Sequence, residues 1–397
     1  MTAALHGVRV LDLTRIFAGP WAAQLLADLG ADVVKVEQPN GGDDVRRMGF
    51  ARRVDDGEEP GQTSSFMAMN RNKRSIALDM GDPDDLATLH ALVGEADVVI
   101  ENFRAGGLRK FGLDHPTLAA AHPRLVYCSI TGFGQDGPYA ARPGYDPIFQ
   151  AMSGLMSITG QPEHGGEALV GYSVSDLNAG LYATIAILAA LRARDAVTGR
   201  GQHIDIALLD TQIAAQSHIA MNHLVSGQLP VRAGTASQIN APWQALATAD
   251  RPIVVAVGND RQFASFCQIL GRASLARDVR FLRNRDRMAN RPALIAAIEE
   301  ALATADADTW VERLNSGGIA CGPVLDFAGV ADDVQVRHRA LYRSIPDPAG
   351  GRFDFVANPI RLSDTPVAYE RVPPRLDEHR AAVLTDWLGE PRDGGRA

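Results

Sequence analysis

Asp176 is the residue of this chain whose type and position best suit covalent chemistry. It follows a polar run that contains Gly171, Ser173 and Ser175, and apolar residues then recur at spacings of four and three, which predicts a helix that begins at Asp176. The free amides and dipole of a helix N-terminus favour an ionised carboxylate. Aspartate is also one of the side chains that form covalent acyl intermediates, so this position is suited to a nucleophile.

The same position also has a purely structural interpretation. Aspartate is a preferred N-cap residue, because its carboxylate accepts hydrogen bonds from the unpaired amides of the first turn. Ala179 and Gly180 are small, and we expect them to leave room for a bulky group. The predicted buried face of the helix consists of Leu177, Leu181, Ile185 and Leu188. This stretch alone leaves both roles of Asp176 open.

Charge and composition argue against several other classes of protein. The chain has 397 residues, of which 46% are hydrophobic, and this size predicts two domains. The net charge of −8 argues against a nucleic-acid partner, whose phosphates require a basic face. The N-terminus lacks an apolar signal core, and no uninterrupted apolar run approaches the roughly 18 residues of a membrane span. We therefore expect a cytoplasmic protein without a membrane partner.

The three cysteines Cys128, Cys267 and Cys321 lie far apart in the sequence. Their spacing matches no metal-binding motif, and their odd number does not suggest a set of disulfides. We therefore expect no metal site and a reducing compartment.

The N-terminal half of the chain alternates apolar strand patterns with helical patterns. Strands are predicted at residues 8–13, 33–37, 75–78, 98–101, 125–130 and 203–207, and helices at residues 22–29 and 83–95. Short strands separated by helices indicate an α/β fold with a parallel, Rossmann-like sheet covered on both faces. In such folds, ligands bind in the loops beyond the carboxyl ends of the strands.

Those loops carry the unusual residues of this half. The segments 14–20, 38–44 and 102–106 follow predicted strands, and none contains the GxGxxG spacing of a nicotinamide-binding unit, which argues against a dehydrogenase. In the third loop, Asn102, Phe103 and Arg104 offer an amide, an aromatic ring and a guanidinium, a combination suited to a nucleotide-like ligand. The alternative for Arg104 is a solvated surface charge.

Several motifs in a fixed order resemble the class III coenzyme A (CoA) transferases, the CaiB/BaiF group, over residues 5–384. Those motifs are VRVLDLTRIFAGPW, NRNKRSIALDM, DVVIENFRAG, YCSITGFGQDGP, RPGYD, SVSDLNAGLYATIAILAAL and TGRGQHIDIALLD. Within the group, CSITGFGQDGP, SGLMSITG and SHIAMNHL make the chain most similar to succinate–hydroxymethylglutarate (glutarate) CoA-transferases.

The resemblance implies a division of the chain into domains. A large domain would be formed by residues 1–225 together with residues 325–397, and a smaller α/β domain by residues 226–324. It also implies that two subunits are threaded through one another as an interlocked homodimer, which would bury far more surface than a standard interface.

For the chemistry, the resemblance matches Asp176 to the family's nucleophile, which attacks an acyl-CoA thioester. CoA would be a substrate, and no permanently bound cofactor is expected. The positions matched to CoA contacts are Phe17, Ala18, Leu78, Asn102, Phe103, Arg104, Lys110 and Tyr145. Two positions depart from the family: Phe17 stands where some members have glutamine, and Gln38 stands where an arginine reaches the phosphates.

The resemblance also suggests the acids that are exchanged. Succinyl-CoA would be the donor, and a short dicarboxylic acid such as glutarate the acceptor. Because the distal carboxylate of a diacid stays charged inside the site, it needs a cation, and Arg47 is the residue that we expect to supply it.

Two alternatives stay open at this point. A CoA-dependent racemase of 2-methylacyl thioesters would share the fold, but we expect such an enzyme to carry histidine where this chain has Tyr145. A non-catalytic acyl-CoA-binding protein is the other alternative, and the presence of Asp176 in its family context argues against it.

Overall fold

A parallel sheet of six strands organises the larger part of the molecule. The computed structural model describes residues 3–54, 57–162 and 165–389. The strands are β1 Arg9–Asp12, β2 Asp32–Glu37, β3 Ala51–Val54, β4 Gly57–Thr63, β5 Arg74–Ala77, β6 Val98–Glu101, β7 Val126–Thr131, β8 His203–Ala207, β9 Trp243–Leu246, β10 Ile253–Ala256, β11 Ala320–Pro323, β12 Tyr342–Pro346 and β13 Arg352–Val356. In the sheet, the strand order is β5-β2-β1-β6-β7-β8 and all pairs are parallel.

Helices cover both faces of this sheet and make up most of the regular structure in the rest of the chain. They are α1 Ala18–Asp28, α2 Ser64–Met69, α3 Pro83–Glu95, α4 His115–Ala121, α5 Asp146–Met152, α6 Leu155–Ile158, α7 Val174–Ala193, α8 Leu208–Ala215, α9 Ser217–Ser226, α10 Asp260–Ile269, α11 Asn284–Ala289, α12 Arg291–Leu302, α13 Ala307–Ser316, α14 Phe327–Asp332, α15 Val334–His338 and α16 Arg380–Val383. One face of the sheet packs on α1 and α7, and the other packs on α3 and α16.

The predicted α/β class and parallel sheet are confirmed. All six predicted strands of the sheet are present, and their ends differ from the predicted ones by at most one residue. Helix α3 begins after Asp82, whose carboxylate accepts hydrogen bonds from the amides of Asp84 and Asp85. The sequence pattern predicted that α1 begins at residue 22, which is four residues too late. Its first turn contains Ala18, Gly19 and Pro20, a combination that in sequence resembles a loop.

The strand order reverses direction between β1 and β6. From β1 the chain builds outward through β2 to β5, whereas β6 leads outward through β7 to β8. The loops that leave the carboxyl ends of β1 and β6 therefore diverge and open a crevice between them. Parallel sheets bind ligands at such a switch point.

Contacts within the chain divide it into two compact units. The first contains residues 1–155, 169–228 and 339–397, and holds the six-stranded sheet. The second contains residues 156–168 and 229–338, and its core lies between the antiparallel sheet β9-β10-β11 and helices α10, α12 and α13. The domain boundaries that were expected from the sequence, at 225/226 and 324/325, stay a prediction.

The predicted buried face of α7 is wrong. Leu181 and Ile185 are 45% and 62% exposed, whereas the side chains that enter the core include Ala179, Ala183 and Ile187. The pattern misled because α7 packs against α1, and two helices approach closely only where small residues lie between them. Leu181 and Ile185 are thereby left on the outer face of α7.

The space above Gly180 is filled by protein, contrary to the expectation that it admits a bulky ligand. A Cβ atom at this position would lie 2.7 Å from the carbonyl oxygen of Ala18 and 2.9 Å from Cδ1 of Trp21. Gly180 therefore permits the close contact between α7 and the first turn of α1.

One helical stretch in the part of the chain that the structure describes is long and apolar enough to cross a bilayer by length and composition. It is α7 with its continuation, Val174–Thr198. This stretch packs against α1, β7 and β8, and its inner side chains belong to the core of the first unit. The expectation of no membrane partner stays a prediction.

The close approach of α7 to α1 can be tested with two glycines that both lie inside helices. Gly180→Ala should lower the free energy of unfolding by about 1–3 kcal/mol, because the added methyl group meets the carbonyl oxygen of Ala18 and the side chain of Trp21. Gly94→Ala is the matched control, since its Cβ would lie 3.4 Å from Cε1 of His122. That change should raise stability by roughly 0.5–1 kcal/mol through helix propensity. Equal effects in chemical denaturation would contradict this packing.

Candidate active site

A cavity of about 240 Å³ lies at the switch point of the sheet and contains Asp176. We call it the Asp176 cavity. The loops after β1, β6 and β7 and the start of α7 contribute its walls. Six of the predicted site residues line it, namely Ala18, Asn102, Phe103, Arg104, Tyr145 and Asp176.

A second cavity of about 520 Å³ shares Arg15 and Phe103 with the first. We call it the Lys110 cavity. Its walls include Leu78 and Lys110, two of the predicted CoA contacts, and also Gln38, the position at which the resemblance led us to expect an arginine. The predicted site residues are thus divided between two cavities that have a common wall.

Two predicted residues line neither cavity. Phe17 is half-buried at the start of α1, where its carbonyl accepts a hydrogen bond from the amide of Trp21 at 2.8 Å. Arg47 lies on an exposed turn, and its guanidinium donates to Asp44 Oδ1 and to the carbonyl of Gly41, each at 2.8 Å. The roles assigned to Phe17 and Arg47 from the sequence stay predictions.

Asp176 lies in the first turn of α7, and the prediction that it caps the helix is wrong. The helix begins at Val174, and Ser173 before it makes no side-chain capping bond. The carboxylate that caps this helix belongs to Asp146. Its Oδ1 accepts hydrogen bonds from the amides of Ser175 at 2.7 Å and Asp176 at 3.4 Å.

Asp146 is a residue of the candidate site that the sequence patterns did not identify. It is the first residue of α5 and is 6% exposed, and its second oxygen accepts a hydrogen bond from Gln150 Nε2 at 2.5 Å. The only local signal was its place after Tyr145 in the RPGYD motif. Its partners in α7 lie 29 and 30 positions away. Local spacing could not reveal that pairing.

The Asp176 carboxyl has an unusual protonation equilibrium. Burial, and then repulsion by the Asp146 carboxylate, raise its pKa to about 7. An aspartate whose pKa lies near neutrality, at the wall of a cavity, has the properties of a reactive group. In its ionised form, this carboxylate is poorly solvated and can attack an electrophilic carbonyl.

The loop between β1 and α1 is held from both sides. Asn102 Oδ1 accepts a hydrogen bond from the amide of Arg15 at 2.9 Å, and Asn102 Nδ2 donates to the carbonyl of Arg15 at 2.7 Å. The amide of Ile16 donates to Asp43 Oδ1 at 3.1 Å. The side-chain amide of Asn102 therefore fixes the loop after β1, which forms part of the wall of the Asp176 cavity.

Ile16 has a φ angle of +70°, a conformation that β-branched residues rarely adopt. Such strain persists only where the surroundings determine it. Here Asp43 Oδ2 pairs at 2.9 Å with Lys35 Nζ, and that ammonium also donates to the carbonyl of Thr14 at 2.8 Å. Through these contacts, Lys35 of β2 fixes the loop that follows β1.

Three arginines line the Asp176 cavity: Arg15, Arg104 and Arg142. Only Arg104 was singled out from the sequence. The guanidinium of Arg15 lies 5.2 Å from the ring centre of Phe103, and that of Arg142 lies 3.7 Å from the ring centre of Tyr139. The cavity can therefore hold anionic groups. In the described part of the chain, no cluster of three or more histidine, cysteine, aspartate or glutamate side chains has the arrangement of a metal site.

Comparison with known proteins gives a consistent result. The chain is 44% identical to the succinate–glutarate CoA-transferase of Agrobacterium fabrum, with 96% of this chain and 95% of the relative aligned. It is 39% identical to the acetyl-CoA:oxalate CoA-transferase of Acetobacter aceti, again over 96% and 95%. A crystal structure of a CaiB/BaiF family protein from Brucella suis superposes with a TM-score of 0.87 at 43% identity, covering 98% of this chain and all of that one.

The model of CoA-transferase family III matches residues 5–380. That match covers both compact units and includes the Asp176 cavity. The chain belongs to CoA-transferase family III, the CaiB/BaiF group.

Proposed function

We propose that this enzyme transfers CoA from succinyl-CoA to a short dicarboxylic acid, with glutarate as the preferred acceptor, through covalent intermediates on Asp176. The observation that carries the proposal is the position of Asp176, a poorly solvated carboxylate in a cavity that shares a wall with a larger one. Two aligned relatives bear names that include a dicarboxylate, glutarate in one case and oxalate in the other.

The proposed reaction proceeds by four acyl transfers. The Asp176 carboxylate attacks the thioester carbonyl, the C–S bond breaks, and CoA leaves as a thiolate from a mixed anhydride. The thiolate then attacks the Asp176 carbonyl and displaces the donor acid, which leaves an aspartyl-CoA thioester. The acceptor carboxylate attacks this thioester to form a second anhydride and free thiolate. The thiolate finally attacks the acceptor acyl group and regenerates Asp176.

The surroundings of Asp176 support each transfer. Ala18, the first residue of α1, lines the same cavity, so the positive end of that helix adjoins the reacting carbonyl. The arginines of the cavity offset the charge of incoming carboxylates. Water must be kept out while an anhydride exists, since water would hydrolyse it.

The nucleotide part of CoA is assigned to the Lys110 cavity. In that cavity, Leu78 supplies an apolar surface, Phe103 an aromatic ring and Lys110 a positive charge. Because Gln38 replaces an arginine, the phosphates would depend on Lys110 and Arg104. Phe17, Ala18, Asn102 and Tyr145 complete the proposed CoA contacts. CoA acts in this scheme as a substrate, and no permanent cofactor is invoked.

A racemase needs an acid and a base on opposite faces of the α-carbon. None of the described residues that line the Asp176 cavity is a histidine, and Tyr145 stands where a racemase of this fold is expected to carry one. This composition favours CoA transfer over racemisation.

The proposed role of Asp176 is tested by Asp176→Asn. Asparagine cannot form the anhydride, so transfer from succinyl-CoA to glutarate should fall at least about a thousand-fold while the fold is retained. Asp136→Asn, which changes an exposed carboxylate, serves as the control. New thioesters are measured by mass spectrometry.

In the wild type, acyl-CoA followed by borohydride should modify the peptide that contains Asp176. A variant that keeps about a tenth of wild-type transfer would refute the nucleophile.

We also propose that the enzyme is an interlocked homodimer. Large apolar side chains are exposed on α7 and α9 when the chain is taken alone, namely Leu181, Tyr182, Ile185, Met221, Leu224 and Val225. Val225 is 80% exposed, and large apolar areas exposed to solvent usually mark an interface. An interlocked partner that covers these side chains would account for the unexpected outer face of α7.

Light scattering of the purified enzyme should give the mass of two chains at all accessible dilutions, because interlocked chains separate only on unfolding. Ile185→Glu should reduce the yield of folded dimer, since it places a charge among these apolar side chains. Val197→Glu is the control, as Val197 is 78% exposed but lies outside α7 and α9. A folded wild-type monomer on dilution would contradict the proposal.

A further inference from the structure

We propose that Arg142 determines the specificity for dicarboxylates by binding the carboxylate that does not react with Asp176. This inference rests on the proposed function, because it names the residue that recognises the distal end of the acid. It assigns to Arg142 the role that the sequence patterns suggested for Arg47.

A diacid brings a second charge into the site. When one carboxylate is joined to Asp176, the other stays ionised and loses water, so it needs a fixed cation. Arg47 is not among the described residues that line the Asp176 cavity, and its guanidinium is engaged by Asp44 and Gly41. The cations in the described walls of that cavity are Arg15, Arg104 and Arg142.

Two of these arginines also belong to other cavities. Arg15 lines the Lys110 cavity as well, lies over Phe103, and approaches Asp44 to 3.9 Å. Arg104 also lines a neighbouring cavity of about 190 Å³ that contains Glu101. Arg15 thus lies at the boundary with the Lys110 cavity, to which CoA is assigned, and Arg104 lies at the boundary with this third cavity. Arg142, in contrast, lines the Asp176 cavity and neither of these two neighbouring cavities.

The Arg142 guanidinium is oriented in advance of binding. It stacks on Tyr139, which contacts Phe133 edge-on at 5.5 Å between ring centres, and Phe133 contacts the fully buried Phe149 at 5.2 Å. The three rings connect the arginine to the core of the first unit. Stacking uses the face of the guanidinium and leaves its N–H edge available for a carboxylate.

Arg142 has no acidic partner within ion-pair distance among the residues that the structure describes. Its charge is therefore available to a ligand. The segment that carries it also carries Asp146, which bonds the first turn of α7 next to Asp176. The distance from Arg142 to Asp176 is thus controlled by a short, anchored stretch of chain, which suits the selection of acids by length.

The test compares kcat/KM for glutarate and for butyrate, which lacks only the distal carboxylate. The arms are wild type, Arg142→Ala, Arg142→Lys and Arg47→Ala. Arg124→Ala is the matched control, because Arg124 pairs with Asp195 and lies before the amino end of β7, whereas the Asp176 cavity lies beyond the carboxyl ends of the strands. Thermal unfolding of each variant confirms folding.

Wild type should favour glutarate, and Arg142→Ala should lower the glutarate/butyrate ratio by about ten-fold, as expected for the loss of a charge-assisted hydrogen bond from an exposed guanidinium. Arg142→Lys should give an intermediate ratio, because lysine keeps the charge but cannot form two parallel hydrogen bonds. Arg124→Ala should keep the wild-type ratio. An unchanged ratio in Arg142→Ala, or a collapse in Arg47→Ala instead, would overturn the inference while leaving the proposed function intact. A wild type that transfers CoA to no diacid would overturn both.

Discussion

The hydrogen bonds from the first turn of α7 to Asp146 are the interaction on which the site depends. The carboxylate of Asp146 replaces the missing cap of the helix, and it binds the amide of Asp176 itself. It thereby fixes the Asp176 backbone and also places a second negative charge beside the Asp176 carboxyl. One buried side chain thus fixes the position of the proposed nucleophile and adds to the rise in its pKa, of which burial is the larger cause.

The remaining walls of the site follow from the topology of the sheet. Because the strand order reverses between β1 and β6, the loops after these strands open away from each other and border the Asp176 cavity. The loop after β1 is kept in a strained shape at Ile16 by Asp43 and Lys35, and Asn102 from the loop after β6 binds the backbone of Arg15. The reactive carboxylate is therefore surrounded by segments that buried polar contacts hold in place.

Sequence patterns predicted the strands of the parallel sheet well, because buried parallel strands are short apolar runs with distinct ends. The same type of reasoning failed on α7, where Leu181 and Ile185 of the predicted face are exposed and the core side chains include Ala179, Ala183 and Ile187. Hydrophobic periodicity identifies an apolar face, but it does not tell whether that face meets the chain's own core or a partner. The outer face of α7 is the one that the proposed dimer would cover.

The candidate site was predictable where function depends on local motifs and unpredictable where it depends on contacts between distant residues. Six predicted residues line one cavity, including Asp176 and Tyr145. Asp146 escaped notice because its partners lie about thirty positions away. Arg142 escaped notice because a guanidinium stacked on a tyrosine three residues earlier looks, in sequence, like an ordinary surface charge.

The coupling of Asp146 to Asp176 has a direct kinetic test in the pH dependence of single-turnover CoA release from succinyl-CoA. Attack requires the ionised carboxylate, so the rate should rise with pH through a midpoint near the Asp176 pKa of about 7. Asp146→Asn keeps a capping oxygen but removes the charge. Because burial is the larger cause of the raised pKa, the midpoint should move to lower pH without reaching the ordinary value of an aspartate. An unchanged midpoint in Asp146→Asn, with CoA still released, would contradict the control of Asp176 by Asp146.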